Sequence, residues 1–137
     1  LYWGTAFRDT VFGEEKAMKL DRTGSFERAG VPYSLHTDYS VSVLTPLEMV
    51  EAAVTRTLFT DPETVLGKDE RASVKMALRA VTNVPAFQLL SESEIGSLEV
   101  GKLADFVVLE NDPLKVQPNE IAEIKVLQTW MSGQRAY

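Results

Sequence analysis

A histidine and an aspartate two positions apart are the residues of this sequence best suited to do chemistry. His36 is the one histidine among the 137 residues, and Asp38 follows it. The apolar run before them predicts a strand over Val31–His36, with Pro32 tolerated near its beginning. Side chains two apart in a strand project to the same face, so both would point the same way if the strand reaches Asp38. An imidazole and a carboxylate so placed could hold a divalent cation or move a proton.

A structural explanation of the same pair stays open. Asp38 could make a hydrogen bond to the backbone that shapes a loop. His36 could be a partly buried side chain whose hydrogen bonds are satisfied. A His-x-Asp triplet by itself does not decide between these hypotheses, so the surrounding sequence has to.

The helix that follows this pair carries the clearest signals of the chain. It is predicted over Pro46–Leu58, with Thr45 as N-cap and Glu48 placed to complete a capping box. Its apolar residues recur three to four positions apart and give it one apolar face. They are Leu47, Val50, Val54 and Leu58. A strand followed by a helix is the order of a βα unit.

Shorter elements precede the pair. The first residues, from Leu1, are apolar and predict an opening strand. Because no Met begins the chain, we expect a truncated sequence, with a processed or trimmed N-terminus as the alternative. Helical turns are predicted over Gly13–Leu20, with acids in the first turn, and over Ser25–Ala29, with Ser25 as N-cap and Gly30 at the end.

The pattern changes near residue 90. Before it, we predict a loop over Thr60–Lys68, a helix capped by Ser73, and a short apolar helix that ends at Leu90 after an interruption at Asn83 and Pro85. From Gly96 onward, helical periodicity gives way to β-branched runs separated by turn residues. The predicted strands are Asp105–Leu109, Ile124–Met131 and Gln134–Tyr137.

Two blocks of sequence, in this order, resemble the amidohydrolase superfamily, and most closely the large branch called amidohydrolase family 3. The first block is HTDYSV at 36–41, with TPL at 45–47 and AVTR at 53–56. The second is GSLEVGKLADFVVL at 96–109, followed by DPL at 112–114 and the closing TWMSGQRAY at 129–137. The resemblance covers nearly the whole chain, and two blocks in the correct order are more specific than either one.

The resemblance implies an α/β fold. Residues 1–90 would form the last two βα units of a (β/α)₈ TIM-type barrel, and residues 91–137 the C-terminal strands of a β-sandwich domain. It also implies hydrolysis of a C–N bond other than a peptide bond, by metal-activated water, in a longer enzyme. The second block has a purely structural explanation, in which Gly96 and Gly101 supply turns and residues 104–109 supply a strand.

By the same resemblance, Asp38 corresponds to the carboxylate at the end of the last barrel strand, which binds the catalytic metal and helps to deprotonate the attacking water. His36 is the second catalytic candidate, as a hydrogen-bond partner of the substrate or of Asp38. The expected cofactor is a divalent metal, zinc in the first place. The family's other ligands come from earlier strands that this sequence lacks, and zinc needs about three protein ligands. This chain alone should therefore hold metal poorly and turn over nothing.

Other candidates are weaker. Arg56 could reach a substrate carboxylate, but an arginine late in a helix more often favours the helix dipole or pairs at the surface. Trp3, Phe7 and Arg8 could line the pocket, because they follow the preceding barrel strand. Apolar aromatic residues near a terminus are more often part of a core.

Composition excludes several classes of function. The net charge is −6 without a basic stripe, so nucleic acid is not an expected partner. The absence of cysteine excludes disulfides and thiolate chemistry. No apolar run long enough to cross a membrane and no secretory signal are visible, which favours a cytoplasmic protein without a membrane partner. The expected partners are a small-molecule substrate, in the full-length enzyme, and further copies of this chain.

Two alternatives to an enzyme piece remain at this level. The chain could be a non-catalytic structural or interaction module that keeps the fold. It could also be one part of a split enzyme that a separate barrel polypeptide completes. The coding sequence upstream of Leu1 would separate the first alternative from the enzyme, since a His-x-His after an earlier strand supports catalysis.

Overall fold

The computed structural model describes residues 2–137 and contains six short helices and five short strands among them. The helices are α1 (Gly4–Ala6), α2 (Glu14–Ala17), α3 (Thr23–Arg28), α4 (Pro46–Thr55), α5 (Val74–Ala80) and α6 (Asn83–Gln88). The strands are β1 (Thr57–Leu58), β2 (Asp61–Val65), β3 (Phe106–Leu109), β4 (Val126–Met131) and β5 (Gln134–Arg135). A π-helical segment continues α1 over Phe7–Phe12, and single 3₁₀ turns lie at Lys68–Glu70 and Pro118–Glu120. Mixed helix and strand agrees with the predicted α/β class.

The main core lies between α4 and α5. Val50 and Ala53 of α4 pack with Ala77 and Ala80 of α5, and Ile121 closes the cluster from the C-terminal part of the chain. Small residues on α5 let the two helices approach closely. This core fixes the direction of α4, whose first turn follows directly on the loop that contains the predicted site. The predicted division of the chain near residue 90 stays a prediction.

Helix α4 starts where the sequence predicts and ends three residues early. Pro46 occupies its first turn, but the Thr45 hydroxyl bonds the Glu48 carboxylate at 2.7 Å instead of capping the backbone. Arg56 adopts a left-handed conformation (φ 61°) and ends the helix. Leu58 was predicted on the apolar face of this helix, yet it lies in β1 and is buried in a second, smaller cluster. The helical prediction beyond Thr55 is therefore wrong, because tertiary burial of Leu58 outweighs its local preference.

The second cluster joins the N-terminal residues to the β1–β2 hairpin. Ala17 packs with Leu58 and Leu66, and Gly4 comes so close to Leu58 that a side chain on it would overlap. The predicted opening strand is wrong for residues 4–12, which are helical; Leu1 lies outside the described residues. A strand needs a neighbour to bond its backbone, whereas a helix satisfies most of its backbone groups locally. The helix predicted over Gly13–Leu20 is confirmed in its first part by α2.

Two other segments differ from their predictions. Residues Val31–His36 belong to no helix or strand among residues 2–137; the Leu35 amide donates to the Ala80 carbonyl at 2.9 Å. The predicted strand therefore lacks the neighbour that would complete it. Thr60–Lys68, predicted as a loop, contributes β2 to an antiparallel hairpin with β1.

Several other predictions hold, although Asn83 and Pro85 lie inside α6, which ends at Gln88 and not at Leu90. The Ser73 hydroxyl caps α5 by accepting a hydrogen bond from the Met76 amide at 3.2 Å. Strands β3, β4 and β5 form an antiparallel sheet in that order, with Phe106 opposite Trp130 and their rings stacked. Gly96 and Gly101 have positive φ angles of 88° and 97°, as their predicted turn roles require.

A buried carboxylate fastens α3 to the chain 45 residues further on. Glu70 accepts hydrogen bonds from the Ser25 amide and the Ser25 hydroxyl, both at 2.6 Å, and pairs with Arg22 at 3.5 Å. Ser25 therefore binds Glu70 and is not the N-cap of α3, as the sequence predicted; Arg22 occupies the N-cap position. These bonds from the Ser25 side chain and backbone, and then the charge of Arg22, hold the pKa of Glu70 below its ordinary value.

This carboxylate predicts a specific loss of stability in acid. A folded-state pKa below the ordinary value of 4.5 means that Glu70 stabilises the fold above that pH and loses its contribution as the pH falls through the lowered value. Glu70→Gln should cost about 1–3 kcal/mol at neutral pH. Urea unfolding of both proteins from pH 7 to pH 3 measures this. The difference between them should shrink below pH 4.5, and a difference that stays constant would show that ionised Glu70 is not the cause.

Many large apolar side chains remain exposed, and they predict self-association of the isolated chain. Phe59, Leu90 and Val100 are more than half exposed, as are Val107 of β3 and Met131 of β4. Exposed apolar patches and free strand edges favour contacts between copies. Light scattering should give a mass above the 15.2 kDa of one chain, with binding of an apolar dye. A clean monomer without dye binding would contradict this prediction. In residues 2–137, no helix is long and apolar enough to span a membrane.

Candidate active-site loop

The predicted site lies in an exposed loop that leads into α4. Asp38 has a left-handed backbone (φ 51°), and its amide donates to the imidazole Nδ1 of His36 at 3.1 Å. Both side chains are exposed. Because Nδ1 accepts this bond, the proton of the neutral imidazole resides on Nε2, which becomes the donor available to a ligand.

Loop hydrogen bonds hold this arrangement. The Ser42 hydroxyl donates to the Thr37 carbonyl at 2.6 Å, and the Val41 amide donates to the Asp38 carbonyl at 2.6 Å. Tyr39 projects from the loop with 75% of its surface exposed. The loop is therefore shaped by its own backbone and hydroxyl groups, and the hydrogen bonds of residues 36–45 in the described chain stay within the loop and the first turn of α4.

The Asp38 carboxylate keeps its acceptor capacity free. Among residues 2–137 it takes part in no hydrogen bond or ion pair, and the backbone amide alone of this residue is engaged. Asp38 thus helps to shape the loop through its backbone amide and carbonyl, not through the side-chain hydrogen bond that the structural alternative proposed. His36 is exposed and not partly buried, as that alternative required. The structure brings the two residues together through a turn and not through a strand, so the expectation of one shared strand face is wrong.

The donor set of this loop is too small for a metal centre by itself. In the described part of the chain, no group of three or more His, Asp or Glu side chains could hold a metal ion. Asp38 oxygens and His36 Nε2 could supply two ligands at most, against the roughly three that zinc takes from a protein. The residues present therefore fit part of a metal site and require further ligands from elsewhere.

Arg56 lies neither at the surface nor at the predicted site. Its side chain is 1% exposed and donates to three backbone carbonyls: Leu66 at 2.8 Å, Asp21 at 2.7 Å and Leu20 at 2.6 Å. Burial lowers the pKa of the guanidinium, although nearby acids oppose that effect. The surface pairing considered for Arg56 is wrong, because the buried fork of donors binds backbone carbonyls from two segments, Leu20–Asp21 and Leu66.

The N-terminal candidates line a different groove. Trp3 borders an open groove of about 530 Å³ together with Tyr2, Asp9 and Phe59. Phe59 follows the last turn of α4, whereas the His36–Asp38 loop precedes its first turn, so the ten residues of α4, about 15 Å, lie between them. The structure therefore does not bring Trp3 to the predicted site.

The other two N-terminal candidates are engaged locally. Arg8 pairs with Asp9 at 2.6 Å and with Asp61 at 3.7 Å, and Phe7 stacks on Phe12. The hydrogen bond from Arg8 holds the pKa of the Asp9 carboxyl below its ordinary value. Neither Phe7 nor Arg8 lies among the residues that border the groove.

The second sequence block forms a turn that leads into β3. Lys102 Nζ lies 2.7 Å from the Ser97 hydroxyl and 3.2 Å from the Glu99 carboxylate. Asp105 accepts a hydrogen bond from the Ser132 amide at 2.6 Å and so joins β3 to the turn before β5. These contacts agree with the structural role that the sequence assigns to this block.

Comparison with known proteins identifies the family. The model of the Amidohydrolase family matches residues 2–137, and the chain belongs to this family. It is similar to the N-substituted formamide deformylase of Arthrobacter pascens, with 34% identity over 139 residues that cover 98% of this chain and 24% of that protein. The chain thus spans about a quarter of the length of this relative. Among solved structures, it resembles an amidohydrolase from Thermotoga maritima MSB8, with a TM-score of 0.43, 21% identity, and coverage of 89% of this chain and 35% of that one.

Proposed function

We propose that this chain supplies one part of the active site of a hydrolase that cleaves a C–N bond other than a peptide bond. The observation that carries the proposal is the family match over residues 2–137, together with 34% identity to an enzyme named for the deformylation of N-substituted formamides. The proposed substrate class is therefore small N-substituted amides. The alternative of a non-catalytic module has no observation in its favour.

Asp38 is the proposed metal ligand and proton acceptor. Its carboxylate is exposed and unengaged within residues 2–137, so it is free for a cation or a proton. A divalent metal, when bound, lowers the pKa of its water and makes it a nucleophile at neutral pH. Asp38 would take the proton from that water and pass it to the leaving nitrogen.

His36 has a proposed positioning role beside it. The bond from the Asp38 amide fixes Nδ1 as an acceptor and leaves Nε2–H as a donor. That donor suits the carbonyl oxygen of an amide substrate or a carboxylate oxygen of Asp38.

The proposed architecture explains why the segment before this loop is unpaired. In the longer polypeptide, residues 1–90 would complete the last two βα units of a barrel, and Val31–His36 would gain strand neighbours. Residues 91–137 would join a β-sandwich, which suits the free edge of β3. Asp38 would then stand at the carboxyl end of a barrel strand, where the active sites of such barrels lie.

The chain by itself is expected to be inactive. Purified protein incubated with zinc and desalted should retain far less than one equivalent of metal, because two ligands do not hold it tightly. It should release no formate from an N-substituted formamide. Stoichiometric zinc with turnover would contradict this prediction.

The function itself is tested in a longer polypeptide. A protein that includes the earlier strands should hydrolyse an N-substituted formamide, and a chelator should abolish this activity. The split-enzyme alternative is tested by adding the earlier strands to this chain as a separate polypeptide and measuring the same hydrolysis. A metal-loaded longer protein that hydrolyses no C–N bond would overturn the proposal.

A further inference from the structure

Residues 2–21 contact one other segment of the described chain, residues 56–67, apart from the residues that follow them directly. We call this segment the N-terminal strap. Beyond its junction with α3, the hydrogen bonds, ion pairs and ring contacts that the strap makes with other parts of the described chain all involve residues 56–67. They include the Tyr2–Phe59 ring pair at 4.9 Å, the Thr5–Thr60 hydroxyl pair at 2.6 Å and the Gly67 amide bonded to Met18 Sδ at 3.1 Å.

The apolar part of this attachment is small. Three buried residues, Ala17, Leu58 and Leu66, form the cluster under the strap, whereas eight form the main core between α4 and α5. The outer side of the strap carries Val11 and Phe12 in exposed positions, and Trp3 is 50% exposed. Segments with few buried apolar contacts open at lower free energy than the core that carries them.

Arg56 is the residue that makes the most hydrogen bonds between the strap and residues 56–67. Two of its three carbonyl bonds go to Leu20 and Asp21 at the end of the strap, and the third goes to Leu66 of the hairpin side. The side chain is buried, so its loss leaves the Leu20 and Leu66 carbonyls without these donors, whereas the Asp21 carbonyl keeps its hydrogen bond from the Thr23 amide at 2.6 Å.

We propose that the N-terminal strap is a conformational device: it opens as one unit, latched by Arg56, while the α4–α5 core stays folded. Opening would uncover Leu58 and Leu66 and would take apart the groove whose walls are Tyr2 and Trp3 on the strap and Phe59 on the hairpin. The closed strap therefore forms this groove, and the open strap abolishes it.

Hydrogen exchange with mass spectrometry tests this on the whole chain. In Arg56→Met, amides of the strap such as those of Ala17 and Met18, which are bonded in α2, should exchange at least about ten-fold faster. Amides of α5 and β4 should stay within about two-fold of the parent protein. Loss of protection in all of these elements together, or no faster exchange in the strap, would overturn the proposal.

Arg71→Met is the matched control. Arg71 also donates to a backbone carbonyl at the end of α4, that of Thr55 at 2.9 Å, but it is exposed. Its removal should leave the exchange of the strap unchanged, and an effect equal to that of Arg56→Met would overturn the latch.

The parent protein in low urea provides a test that does not depend on any variant folding. Strap amides should lose protection at lower urea than amides of α5, and equal behaviour of the two would overturn the proposal.

Discussion

Asp38→Asn in a longer polypeptide that carries the earlier barrel strands is expected to lower kcat by about 10²- to 10⁴-fold. The amide keeps the size of the side chain and its place in the exposed loop, but it neither accepts a proton nor compensates the charge of a divalent cation. Formate release from an N-substituted formamide under saturating substrate measures the loss, and metal content after desalting should fall in parallel.

Two further variants separate this loss from a general effect. Glu63→Gln removes an exposed carboxylate on β2 and should leave kcat unchanged. His36→Gln removes the imidazole that accepts a hydrogen bond from the Asp38 amide, and it should lower activity less than Asp38→Asn does. Full activity of Asp38→Asn, with normal metal content, would remove Asp38 from the mechanism.

Gly67→Ala is expected to destabilise the isolated chain by about 2–5 kcal/mol. Gly67 has a positive φ of 64°, which alone costs an L-residue about 1 kcal/mol. A Cβ atom there would also overlap the backbone carbonyl oxygen of Met18, and the backbone cannot move aside without breaking the Arg56 bonds next to it. Urea unfolding followed by circular dichroism measures the change.

Gly30→Ala isolates the steric part of this effect. Gly30 has nearly the same backbone angle, φ 68°, but a Cβ atom there meets nothing within 4 Å. It should therefore cost only the backbone strain of about 1 kcal/mol. Equal losses in the two variants would mean that the close approach to Met18 has no energetic weight.

Local signals in the sequence predict several elements that the structure confirms. Ser73 caps α5 through a bond to an amide three residues away, and Gly96 and Gly101 take the positive φ angles of their turns. The three strands β3, β4 and β5 follow from β-branched runs, and Ser132-Gly133 forms the short turn between β4 and β5. Each of these depends on residues that are neighbours in the chain, so pattern and propensity suffice.

The structure departs from the sequence where a distant partner decides. Leu58 continues the apolar periodicity of α4, yet it leaves the helix to pack with Ala17 and Leu66. Val31–His36 has the composition of a strand, but no strand lies beside it within residues 2–137. Ser25 has the character of an N-cap, but Glu70 engages both its amide and its hydroxyl.

Some features of the candidate site can likewise be predicted from the sequence, and others cannot. Short blocks of fixed order in the sequence are enough to identify the family and to propose His36 and Asp38 as site residues. The structure adds what these blocks do not contain: the bond from the Asp38 amide to His36, the burial of Arg56 against three carbonyls, and the groove that Trp3 borders beyond the last turn of α4. The burial of Arg56 and the place of Trp3 follow from contacts between distant segments, which outweigh local preference because each contact depends on where the whole chain places both partners.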